Sequence, residues 1–159
     1  MFCSLPDERA AGGDTPSVDA EASVREVVDR ETRAWDTQDV ELLLSVFHPD
    51  MVWAWPRSYT AVDPVDWRLG MGRFDAARWR RQYEELFSRC ELVHNRRSIV
   101  KIEVSAEADG ALAVVDIDTL WRDRSTGDED NWLGRTCKLY ALTPEGWKMT
   151  SQTGALQYK

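Results

Sequence analysis

The stretch Ala111 to Arg122, ALAVVDIDTLWR, constrains the fold more than any other part of the chain. Read with a period of two, it puts Leu112, Val114, Asp116, Asp118 and Leu120 on one face of a strand and Ala113, Val115, Ile117, Thr119 and Trp121 on the other. Both faces are apolar, as in a strand that lies inside its sheet and is covered on both sides. Two carboxylates in the middle of one such face are then unusual, because Asp is rarely buried without a partner. Three readings stay open: the acids line a wet cavity, they are paired, or their face is solvated and does no chemistry.

The segments before this strand are helical and those around it alternate. Residues 1–19 mix Pro, Gly, Asp and Ala without periodicity and read as a flexible tail, so the domain is expected over 20–159. Val24, Val27, Val28, Glu31, Ala34 and Trp35 then recur at helical spacing, an apolar stripe with an acid inside it. Asp39 caps a short second helix, VELLLSVF, closed by Pro49, and MVWAWP follows as a short strand. The segment Arg57–Gly72 has no clear period and reads as a long loop of the kind that forms lids. Phe74 to Cys90 forms a third helix with Trp79, Tyr83, Leu86, Phe87 and Cys90 along one face. Thereafter every segment alternates, with turns at Asp109-Gly110 and Pro144-Glu145-Gly146. The expected class is α+β, with helices packed in a curved antiparallel sheet.

Composition narrows the function. A formal charge of −8 argues against nucleic acid or an anionic membrane as partner. No apolar run has the length of a membrane span and the first residues do not form a signal peptide, so a cytoplasmic protein is expected. Cys3, Cys90 and Cys137 are widely spaced and suggest neither a disulfide framework nor a zinc site. Eight Trp in one small domain suit an aromatic pocket or an apolar interface. No phosphate-binding loop, metalloprotease motif or serine-nucleophile motif is present, and Gly70-Met71-Gly72 is not a dinucleotide fingerprint. His48 is expected to interact with the last carbonyls of a helix, and His94 to lie in a pocket or at its rim. Asp116 and Asp118 alone are too few ligands for a metal, and neither metal nor cofactor is expected.

The order VREVVDRETRAWDTQDVELLLSVFHPDMVW, then GRFDAARWRRQYEELF, then four strands ending in EGWKMTSQTG, resembles the NTF2-like superfamily, with its SnoaL-like cyclases and ketosteroid isomerases. The resemblance spans roughly Ala20 to Leu156 and implies a cone, a strongly curved antiparallel sheet around three helices with a pocket at its wide end. It also implies a homodimer formed through the sheet. On the ketosteroid isomerase pattern, the family's oxyanion-hole Tyr falls on Glu31, its general-base Asp on Trp55 and its protonated Asp near Lys138, so that mechanism is not expected here. The same overlay sends pocket positions onto Val114, Asp116 and Asp118.

Together these readings predict a catalytic group of Glu31, Asp116, Asp118 and Lys138. The ligand-binding walls are Trp35, Trp53, Trp55, Tyr83, His94, Tyr140 and Met149, with Tyr59 and Trp67 as lid residues. Three acids and one Lys in an aromatic enclosure must be neutralised. If desolvation raises one acid's pKa, the pocket supports cofactor-independent isomerisation, dehydration or cyclisation of a small hydrophobic or aromatic substrate. If Lys138 and other groups pair with the acids instead, the domain only binds a ligand, or associates through an outer sheet patch of Val115, Ile117, Trp121, Leu133 and Leu139.

Overall fold

In the computed structural model, residues 16–56 and 67–155 are described, with side chains for 19–54 and 74–155. Alternating segments pair into one six-stranded sheet, and three helices bury their apolar stripes against it. The elements are α1 (Pro16–Thr37), α2 (Val40–Ser45), β1 (Phe47–Pro56), β2 (Trp67–Arg73), α3 (Ala76–Arg89), β3 (Cys90–Val104), β4 (Gly110–Asp123), β5 (Glu129–Thr143) and β6 (Gly146–Gln152). Strand order is β2-β1-β6-β5-β4-β3, antiparallel throughout except where β1 and β6 run parallel. This is the expected α+β architecture, with α1 lying across β3 and α2 against both other helices.

Local chemistry explains the boundaries. Asp39 caps α2 by accepting from Leu42 N at 2.9 Å, and Asp75 caps α3 by accepting from Arg78 N at 2.7 Å. Gly146 takes a φ of 99° at the β5 to β6 turn, a conformation that suits glycine. α1 starts at Pro16 rather than near Ala20, so part of the expected tail is helical; residues 1–15 lie outside the described residues. The expected loop over 57–72 contains strand β2, whose backbone pairs with β1 at Val52↔Arg73 and Trp53↔Gly72. His48 lies in β1, not at a helix end, and its Nδ1 accepts from Asp50 N at 3.0 Å.

The largest correction concerns β4. Ala113, Val115, Ile117, Thr119 and Trp121 are its buried positions, facing the helices, while Asp116 and Asp118 lie on the outer face of the sheet. The expected assignment is inverted. With apolar residues on both faces, alternation carries no sign, and the acids find partners laterally on the neighbouring strands. Val115, Ile117 and Trp121 therefore belong to the core and form no docking patch, whereas Leu133 and Leu139 of β5 are exposed as expected.

Candidate functional site

Glu31 is carried into the interior by the stripe it shares with Val24, Val27, Val28, Ala34 and Trp35, all buried. Lys138 meets it from β5, where Thr136, Lys138 and Tyr140 alternate inward. Arg97 comes from β3 and completes a triad. Glu31 Oε1 accepts from Arg97 Nη1 at 3.0 Å and from Trp35 Nε1 at 3.1 Å, and Oε2 accepts from Lys138 Nζ. Side-chain exposure is only 2% for Glu31, 1% for Lys138 and 5% for Arg97, so water screens none of these charges. Arg97 Nε also donates to Asn95 Oδ1 at 2.8 Å, which accepts from Thr119 Oγ1 at 2.7 Å. The guanidinium carbon lies 5.3 Å from the centroid of the Trp35 ring, within cation–π range.

Burial works to push the Glu31 carboxyl up, but the charges of Lys138 and Arg97 and their hydrogen bonds outweigh it and hold the pKa below the ordinary value. Burial draws the Lys138 ammonium down to about 8, with Glu31 opposing and Arg97 adding to the fall. Glu31 is thus a carboxylate at neutral pH and no proton donor; Lys138 is the triad member whose proton is exchanged nearest neutrality. Tyr83 and Tyr140 are raised well above the usual phenol value, by burial first and the Glu31 charge second. Both hydroxyls are buried without a hydrogen-bond partner among the described residues.

Beside Arg97 lies a cavity of about 10 Å³, room for one water. Its walls include Trp35, Trp53, Ile117, Trp132, Thr136 and Gln152. Gln152 is 4% exposed and its Oε1 has no hydrogen-bond partner among the described residues. Lys138 is absent from the lining, so Arg97 is the triad member presented to a molecule in this space. A larger, open groove of about 520 Å³ runs between the start of α1 and the β5 to β6 turn past Ser23, Glu26, Arg30, Leu142 and Trp147. None of the triad lines it. The smaller cavity is where polar chemistry and apolar walls converge, and it defines the candidate site.

Of the residues expected at the site, Glu31, Lys138, Trp35, Trp53, Tyr83, Tyr140 and Met149 are all buried inside the cone. Tyr83 stacks on Trp79 at 5.8 Å and meets Trp35 edge-on at 5.4 Å, as part of the aromatic core. Trp55 and Trp67 have strand backbones whose side chains lie outside the described residues, and Tyr59 lies outside them altogether. Asp116, Asp118 and His94 are not brought to the triad. On the outer face, Arg135 Nε and Nη2 donate to Asp116 at 2.7 and 2.9 Å, and His94 Nε2 lies 2.8 Å from Asp118 Oδ1. Those hydrogen bonds hold both Asp carboxyls below the ordinary value, opposite to the rise expected for a pocket acid. Among the described residues no three His, Cys, Asp or Glu side chains gather as metal ligands.

Arg97, Trp132, Thr136 and Gln152 were not expected at the site. Arg97 is hidden from a parity argument by a β-bulge between Leu92 and His94, which turns Asn95, Arg97 and Ile99 inward. Its only sequence signal is an Arg amid an alternating strand.

A sheet curved round three helices with a polar site inside it is the NTF2-like architecture, and solved structures agree. A ketosteroid isomerase-like protein from Erwinia carotovora atroseptica superposes with a TM-score of 0.65 at 14% identity, covering 86% of this chain and 95% of its own. An NTF2-like superfamily protein from Salmonella enterica gives 0.66 at 17% identity over 89% and 94%. A type 2 hexachlorocyclohexane dehydrochlorinase gives 0.66 at 13% identity over 92% and 90%. At these identities the likeness is one of fold. No curated protein matches the chain. The family profile described as the SnoaL-like domain matches residues 16–153, and the chain belongs to that family.

Proposed function

We propose that this chain is a small-molecule pocket protein, whose cone takes a small aromatic or hydrophobic ligand with its polar head against Arg97. One observation carries the reading: Arg97 and the unpartnered Oε1 of Gln152 open on a cavity otherwise walled largely by indole rings. Turnover is the second reading, favoured by the Lys138 amine at about 8 and by neighbours named as a dehydrochlorinase and an isomerase-like protein. Its acid–base group would be Lys138; Glu31, held ionised, serves as its partner. A cytoplasmic homodimer joined through the outer sheet face belongs to the same proposal. No helix among the described residues is long and apolar enough to cross a membrane.

Ligand-observed NMR with neutral and charged aromatic fragments tests the pocket. Fragments that bind should compete with one another, perturb indole fluorescence, and lose on the order of tenfold in affinity when Ala155→Trp fills the cavity wall. Fragments that bind wild type and variant equally would put the site elsewhere.

A further inference from the structure

Glu31 is the one carboxylate that Arg97 and Lys138 contact, so the buried cluster holds two cations and one anion among the described residues. The next acid that Arg97 feels is Asp36, which is exposed and accepts from Asn95 Nδ2 at 2.8 Å. Tyr83 and Tyr140, the other titratable groups that feel this cluster, remain neutral phenols and bring no charge. An unbalanced charge in a desolvated interior is costly. The cluster member that borders free space is Arg97, beside a buried and unpartnered amide oxygen of Gln152.

We infer that the ligand of this pocket is a small monoanion, a carboxylate or an ionised phenol or enol, whose charged head seats against Arg97 and leaves the buried cluster neutral. The inference rests on the pocket reading above and names its substrate class. Gln152 Oε1 offers an acceptor to a hydroxyl or N–H next to that head. The closed cavity holds about one water, so even a formate-sized head needs its walls to give, and a ring needs Trp53 or Trp132 to move aside. Lys138 links affinity to pH. At neutral pH its ammonium supplies the excess charge; above about 8 it loses the proton, Glu31 and Arg97 balance, and the attraction for an anion goes.

The experiment compares formate with formamide and benzoate with benzamide, pairs of like shape that differ in charge, by thermal shift and indole fluorescence at about pH 7 and about pH 10, below and above Lys138. At the lower pH the acids should bind on the order of tenfold more tightly than the amides, a preference that vanishes at the higher pH and in Lys138→Met. Amides that bind as well as acids at neutral pH would overturn the anion class and leave the pocket standing. So would acids that fail to bind while neutral aromatic fragments still compete and lose affinity in Ala155→Trp. A preference for acids that persists in both Lys138→Met and alkaline buffer would show that the buried charge excess is not its source. The pH arm decides even if the variant does not fold, and failure of every fragment, acid and amide together would remove the pocket as well.

Discussion

Glu31 accepts from three donors and is the residue on which the interior charges depend. Glu31→Gln keeps the shape and leaves Arg97 and Lys138 facing a neutral amide; it should destabilise the fold by about 3–5 kcal/mol, as the loss of one partner of a buried pair does. Lys138→Met leaves Glu31 paired with Arg97 and should cost far less, under about 2 kcal/mol. Urea unfolding of both at neutral pH checks the order. The pH dependence has a definite sign. Lys138 stands at about 8 in the fold against 10.5 as a free side chain, so the unfolded chain binds more protons between those values. Wild type should therefore gain stability relative to Lys138→Met as pH rises through that window, and the gain should be absent below it. The inward placement of Glu31 and Lys138 was legible in the sequence, the first as an acid on an apolar stripe and the second through the overlay of the ketosteroid isomerase pattern. Arg97, between two polar neighbours beyond a bulge, was not.

At the level of elements, β3 shows why alternation alone misplaces residues. Leu92 faces inward, the bulge at Val93 shifts the phase so that Asn95, Arg97 and Ile99 do, and the bulge at Val100 shifts it back for Ile102 and Val104. Two invisible one-residue offsets decide which basic residues are buried. Deleting Val93 removes the extra residue, so Leu92, Asn95, Arg97 and Ile99 should stay on the inner face of a regular strand and cooperative unfolding measured by near-ultraviolet circular dichroism should survive. Val93→Ala, at a position 39% exposed, should change stability by less than about 0.5 kcal/mol. Helices α1, α2 and α3 and the turns at Asp109-Gly110 and Pro144-Glu145-Gly146 were readable because stripes, caps and turn residues are local signals. The inside and outside of β4 were not, since Asp116 and Asp118 are satisfied by Arg135 and His94 on other strands and only pairing register reveals them.

For the whole molecule, the outer face of the sheet carries Leu133 and Leu139, 47% and 48% exposed, around the Asp116–Arg135 pair. Such a face suits an isologous contact between two copies, the association proposed above. Sedimentation at micromolar concentration should show a dimer that Leu139→Glu converts to a monomer with an unchanged circular dichroism spectrum; a wild-type monomer would dismiss the interface. The closed cavity bears on time rather than on structure. When free space beside Arg97 suffices for one water, a larger guest waits until the indole walls part. Its arrival rate then climbs with concentration only to the frequency of that opening and levels off, and the intrinsic affinity is multiplied by the fraction of time spent open, which lowers the affinity measured. The tryptophans that line this interior thus act as a clock on entry, and widening the cavity by trimming one of them quickens capture before it alters what is captured.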